Sequence, residues 1–245
     1  MTLLQAALLG ILQGITEFLP ISSSGHLVVV ESLLGLHVEE LKDFDVTLHL
    51  GTLLAILIYF RKEIFQVRRW PLLAVATIPA VIVGLLFADT IDAHLRNTTS
   101  VAILMIVMGL IYFIPQPRSD QKLTWGRGII IGVAQTLALI PGVSRSGSTI
   151  FTGMMLGLKR EEAAKFSFML GAVAITGAGL LTSYHIFEGT EQVTLSAPTL
   201  LVGFITAFLS SWLAADWLMK FLHKHGLQAF GVYRIILGFT LLLFF

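Results

Sequence analysis

Two short polar stretches break an otherwise apolar chain, and their side chains are those that attack and hold phosphoryl groups. The first runs from Gln13-Gly-Ile-Thr-Glu17 to Pro20-Ile21-Ser22-Ser23-Ser24-Gly25-His26, and the second is Pro141-Gly142-Val143-Ser144-Arg145-Ser146-Gly147-Ser148-Thr149. Glu17 stands four residues after Gln13, so on a helix the two share a face and a cavity. A carboxyl at membrane depth costs about 2.5–3.5 kcal/mol on insertion scales, which makes Glu17 a functional residue or a structural one hydrogen-bonded between helices. The Ser22-Ser23-Ser24-Gly25 turn offers hydroxyls together with the free N–H groups of the helix that follows. Such N-termini bind phosphate because unpaired N–H groups point at it and the dipole adds roughly +0.5 charge. His26 beside Glu17 and three hydroxyls suits acid-base or nucleophilic work, although a lone buried imidazole is more commonly structural.

Arg145 is a cation far from the loop charges. Its planar guanidinium stays protonated and grips phosphate oxygens in a fork, with Ser144, Ser146, Gly147 and Thr149 around it. The plainer reading is a salt bridge to Glu17 that ties the two segments together, and an unliganded site accommodates both. Arg145 and two helix N-termini supply about two positive charges and Glu17 removes one, so a bound diphosphate leaves the site negative. A divalent cation, Mg2+ or Ca2+, held by Glu17 and substrate phosphate oxygens is the expected addition. His37, His49, His94, His185, His223 and His225 have no partner motif and read as structural or interfacial. Lys159, Arg160, Glu161 and Glu162 read as a solvated loop, and Trp70 and Trp125 as interface anchors.

The elements that must position these groups belong in a bilayer. Of 245 residues, 56% are hydrophobic and 13% charged, against about 45–50% and about 25% in soluble domains. A net charge of +1 leaves no basic face for nucleic acid, and the absence of cysteine removes disulfides and thiolate chemistry. The N-terminus lacks the basic segment and cleavage site of a signal peptide and reads as part of the mature protein. Six apolar stretches approach the roughly 20 residues of a spanning helix: Val46 to Phe60, Pro71 to Ala88, Val101 to Pro115, Phe166 to Phe187, Pro198 to Met219 and Phe230 to Phe245. Leu3 to Leu36 and Ile129 to Leu158 are interrupted centrally by the two polar stretches. A helix from Leu27 to Leu36 measures only about 15 Å, so each region reads as a re-entrant hairpin, tolerated where protein or a wet cavity shelters the break.

The two hairpins are related by a shift of 122 positions. Without a gap, Gly10, Gln13, Ser22, Ser24, Gly25, Leu34, Gly35, Leu36, Glu39, Glu40, Phe44 and Leu48 meet identical residues, from Gly132 and Gln135 to Phe166 and Leu170. A hairpin plus three spans is therefore repeated, and three being odd, the second copy enters the membrane inverted. The expected fold is an all-α membrane protein of six transmembrane helices and two re-entrant helical hairpins, an inverted-topology repeat with its site near the midplane. It forms one integral domain over 1–245, with repeats at about 3–115 and 129–245. Loops on one side hold twelve basic residues, including Arg61, Lys62, Arg68, Arg69, Arg118 and Lys122, against Lys42 and Arg96 on the other. The basic side is cytoplasmic by the positive-inside rule, so the first hairpin and both termini lie toward the outside.

QGITEFLPISSSGH and PGVSRSGS resemble the signature segments of the undecaprenyl-diphosphate phosphatase family, whose first motif is (Glu/Gln)-x-x-x-Glu. The resemblance covers nearly the whole chain. It implies hydrolysis of undecaprenyl diphosphate to the monophosphate carrier of peptidoglycan and other envelope polymers, with bacitracin resistance as a by-product. It also implies residence in the bacterial cytoplasmic membrane, dimers, an active site opening outward and a need for divalent metal. By position, Glu17, Ser23, His26 and Arg145 fall on the family's essential residues, with Gln13, Ser22, Ser24, Ser144 and Thr149 around them. Gln13 is the amide version of the first acidic position, which weakens a two-carboxylate metal site.

The expected reaction has Arg145 and the helix N-termini holding the diphosphate while Ser23 attacks phosphorus and His26 takes the serine proton, with Glu17 orienting it or binding metal; His26 itself is the other candidate nucleophile. A lipid transporter or flippase shares the inverted-repeat architecture, and phosphate release by purified protein separates it from an enzyme. Ser24-Gly25-His26 partly mimics another lipid phosphatase superfamily. That superfamily requires a histidine where Phe151 and Thr152 stand here.

Overall fold

The structure, a computed structural model, describes residues 1–36, 41–117, 119–188 and 195–244, with backbone alone at 42, 43, 186 and 187. The charges and repeat matches assigned to Glu39, Glu40 and Arg118, and His37, lie outside the described residues. Among those described there are eleven α-helices and no β-strand. The first hairpin is α1 (Leu3–Phe18) and α2 (Ser23–Leu33), followed by α3 (Lys42–Tyr59), the single turn α4 (Arg61–Ile64), α5 (Trp70–Leu95) and α6 (Thr98–Ile111). The second hairpin is α7 (Trp125–Gln135), a 3-10 turn (Thr136–Leu139) and α8 (Arg145–Met155). It is followed by α9 (Arg160–Phe187), α10 (Ala197–Lys224) and α11 (Gln228–Phe244). Each of the six apolar stretches lies largely within one helix. Three helical stretches, Val67–Leu95, Arg160–His185 and Ala197–Lys224, are long and apolar enough to cross a membrane. Leu85, Leu86, Leu180, Leu213 and Leu243 turn outward, each at least 67% exposed, a surface that water would penalise and lipid does not. Arg160, Glu161 and Glu162, expected in a loop, instead open α9, where acidic residues favour the helix N-terminus.

The hairpins repeat in conformation as well as sequence. α2 and α8 each have 11 residues, and each is capped by a serine at positive φ, Ser22 at 75° and Ser144 at 77°. The left-handed region costs a non-glycine residue roughly 1–3 kcal/mol. Here the caps offset part of that cost: Ser22 Oγ accepts from Gly25 N at 3.3 Å and Ser144 Oγ from Gly147 N at 3.1 Å. Packing follows the same exchange. α1 lies along α10 as α7 lies along α5, α3 packs on α10 as α9 packs on α5, and α6 pairs with α11. Each half is thus completed by helices of the other.

The hairpin tips touch, Gly142 N donating to Ser22 Oγ at 3.1 Å and Ser146 Oγ to Leu19 O at 3.1 Å. Breaking a helix frees carbonyls, and in a bilayer protein must satisfy them. Arg234 of α11, fully buried, donates to Pro20 O at 3.3 Å, to Gly142 O, and to Leu104 O and Met105 O at 3.4 Å. Tyr112 adds a bond to Pro20 O at 3.0 Å, and the Arg234 guanidinium lies 5.6 Å from its ring centroid. Pro20 and Gly142 are equivalent under the 122-residue shift, as are Tyr112 and Arg234. One pair therefore holds both breaks.

Candidate active site

Between the hairpins lies a cavity of about 280 Å³. Glu17, Ser23, Ser24, Ser144, Arg145 and Ser146 line its polar end, and Val46, Leu139 and Ile175 its apolar wall. The N-termini of α2 and α8 both open here. In the first turn of a helix the N–H groups have no intrahelical partner, so Ser23, Ser24, Arg145 and Ser146 present backbone donors together with side chains.

Glu17 is the hub. Its carboxylate is 7% exposed; Oε2 accepts from Ser23 Oγ at 2.6 Å and from Gln13 Nε2 at 3.1 Å, and Oε1 accepts from Arg145. The other guanidinium nitrogen of Arg145 donates to Ser167 O at 3.2 Å. Gly171 of α9 leaves room for that guanidinium, because a Cβ there would sit 1.5 Å from it. Thr149 is fully buried outside the cavity, its hydroxyl 2.6 Å from Ser167 Oγ and donating to Arg145 O at 2.7 Å. It therefore steadies the strand of contacts behind Arg145.

The structure divides the expected site residues into two groups. Glu17, Ser23, Ser24, Ser144, Arg145 and Ser146 meet at the cavity, whereas Ser22, Gly25, Gly147 and Thr149 are buried in the hairpin caps and their supports. Gln13 is buried behind Glu17. His26 faces the other way. Its Nδ1 is 2.7 Å from Ser22 O, a carbonyl that can only accept, so Nδ1 carries the proton and Nε2 accepts from Tyr233 OH at 2.8 Å. Both ring nitrogens are engaged, and the hydrogen-bond partner of Ser23 is Glu17. His49, read as structural or interfacial from sequence, lines the cavity beside Gln13 and Glu17. Arg234 escaped attention in the sequence although it satisfies the test that singled out Arg145, a cation within an apolar stretch.

For a divalent cation the residues present offer Glu17 and Gln13 Oε1, a buried oxygen that accepts no hydrogen bond. Among the described residues no group of three or more His, Asp or Glu forms a metal cluster. Phosphate oxygens and water would complete such a shell.

The family model described as bacitracin resistance protein BacA matches residues 6–240. The chain belongs to this family. Its relatives include undecaprenyl-diphosphatases of Alteromonas mediterranea, 41% identical with 100% of this chain and 99% of the relative covered, and of Corynebacterium glutamicum, 40% identical with 98% and 89% covered. One from Pseudomonas fluorescens is 38% identical, with 98% and 93% covered. The match spans both hairpins and every helix between them, so the family likeness includes the whole cavity.

Proposed function

We propose that this chain hydrolyses undecaprenyl diphosphate to undecaprenyl phosphate and inorganic phosphate, recycling the lipid carrier for envelope polymers. The observation that carries this reading is the Ser23–Glu17–Arg145 constellation at the polar end of a cavity whose other wall is apolar. The full-length relatives named for that activity support it. Arg145 exchanges part of its contact with Glu17 for the terminal phosphate, which the N-termini of α2 and α8 also hold. Ser23 Oγ forms the new bond to phosphorus, its proton passes to Glu17 Oε2, and the anhydride P–O bond breaks to release undecaprenyl phosphate. Glu17 hands that proton to the departing undecaprenyl phosphate. Water then attacks the phosphoserine with the freed carboxylate as base, and the proton taken from water passes to Ser23 Oγ as its bond to phosphorus breaks and phosphate leaves. The arrangement supports Glu17 rather than His26 as the proton acceptor, with His26 holding the Ser22 carbonyl at the hairpin turn. Glu17 and Gln13 would hold a divalent cation, Mg2+ or Ca2+, which would neutralise diphosphate charge. Purified protein is expected to release phosphate from undecaprenyl diphosphate and to lose that activity with chelator. Lipid binding without phosphate release would instead favour a transporter.

Arg145→Lys keeps the charge and loses the fork. Turnover is expected to fall at least about tenfold, or 1.4 kcal/mol, and near-normal turnover would reduce Arg145 to a generic cation.

The membrane arrangement belongs to the same proposal: one integral domain in the bacterial cytoplasmic membrane, with six spans and two re-entrant hairpins as inverted repeats. Both termini and the cavity mouth would face outward. The matched caps and exchanged packing of the two halves support it. The chain has no cysteine, so a cysteine at Thr99 should label from outside intact cells and one at Gln121 should not; the opposite pattern would overturn the orientation. The homodimer that the resemblance implies is tested by the mass of the detergent-solubilised protein.

A further inference from the structure

His49 has no part in the reaction as written, yet it borders the reacting groups. It projects from α3 with its Nδ1 2.9 Å from Gln13 Nε2 and 3.7 Å from Glu17 Oε2, and its side chain is 34% exposed where it lines the cavity. The network fixes its tautomer. A carboxylate only accepts, so the Gln13 amide must turn its NH2 toward Glu17, and the same nitrogen then donates its second proton to His49 Nδ1. His49 Nδ1 therefore accepts, and the ring proton lies on Nε2, a donor for which no hydrogen bond to the described residues is formed.

The repeat points to the same place. Shifting His49 by 122 positions reaches Gly171, the residue of α9 that makes room for the Arg145 guanidinium. Equivalent positions of the two halves thus flank one site, one supplying an imidazole and the other the space for an arginine.

We propose that His49 is a further catalytic residue, whose Nε2–H donates a hydrogen bond to the diphosphate and stabilises the charge that gathers on the departing phosphate. The proposal rests on the hydrolytic reading above. Ser23 Oγ and His49 Nδ1 both neighbour Glu17 Oε2, at 2.6 and 3.7 Å, so a phosphoryl group attacked by Ser23 comes within reach of the imidazole. No proton is transferred. The donor matters because charge increases in the transition state while the imidazole is already in position.

Two variants separate this role from a merely structural one. In His49→Asn, the side-chain oxygen takes the place of Nδ1 and keeps the Gln13 contact, but no donor remains at the Nε2 position. In His49→Gln, the amide nitrogen reaches the Nε2 position and the Gln13 contact is lost. With folding checked by monodispersity and thermal melting, His49→Gln should keep kcat within about fivefold of wild type, and His49→Asn should lose at least a further tenfold, mainly in kcat. Asparagine retaining as much activity as glutamine, at any level, overturns the proposal. Wild-type protein that releases no phosphate from undecaprenyl diphosphate would instead sink the hydrolytic reading itself.

Discussion

Ser23→Ala is expected to lower phosphate release by at least about 10³-fold, because deletion of a nucleophile removes the covalent route altogether. The loss should come without unfolding. Ser23 is the first residue of α2, but the cap is Ser22; the Ser23 hydroxyl makes its hydrogen bond to Glu17 and is half-buried at the cavity. Alanine suits a helix, so the melting temperature should stay near that of wild type. The chemistry of the adduct provides an independent check. Attack by Ser23 gives an acid-stable phosphate ester, whereas attack by His26 gives an acid-labile phosphoramidate, so quenching labelled turnovers in acid and in base distinguishes them. Full activity in Ser23→Ala would rule out the assignment, because no covalent step would then depend on that hydroxyl.

The second large effect is expected at Glu17. Glu17→Gln keeps the shape but replaces an acceptor of three donors, from Ser23, Gln13 and Arg145, with a group that is itself half donor. Loss of the general base should cost about 10²- to 10⁴-fold in kcat. Removing one partner of a buried ion pair also destabilises, by about 3–5 kcal/mol where burial is complete, so activity is to be compared at a temperature where both proteins are folded. Binding should move the other way. With Glu17 neutral, the Arg145 charge is uncompensated, and with divalent cations removed by chelator a non-hydrolysable prenyl diphosphonate should bind at least as tightly as to wild type. Weaker analogue binding with unchanged kcat would make Glu17 a binding residue only.

Much of this was legible in the sequence because it depends on local chemistry. Apolar runs too long for a soluble domain, polar breaks too central for clean spans, and a 122-residue self-match are properties of the chain alone. They placed the helices, the two hairpins and the acid, hydroxyl and guanidinium at their tips. The expected loop at Arg160–Glu162 failed because charge density alone does not distinguish a solvated loop from the first turn of a helix.

What only the tertiary structure decided is how hydrogen bonds are shared among groups distant in sequence. Ser22, Ser23 and Ser24 are chemically alike, but Ser22 Oγ is occupied by Gly25 N and by Gly142 N of the other hairpin, which leaves Ser23 to face Glu17. His26 and His49 are equally capable imidazoles. Tyr233 of α11 and the Ser22 carbonyl take both nitrogens of His26, whereas Gln13 meets only Nδ1 of His49, whose ring lines the cavity. Arg145 and Arg234 are both cations in apolar helices. One meets a carboxylate beside open space, the other the carbonyls freed by two broken helices. Residue type sets what a group can donate or accept, but each donor and acceptor is satisfied only a limited number of times, and the neighbours that satisfy it come from helices whose packing local sequence does not encode.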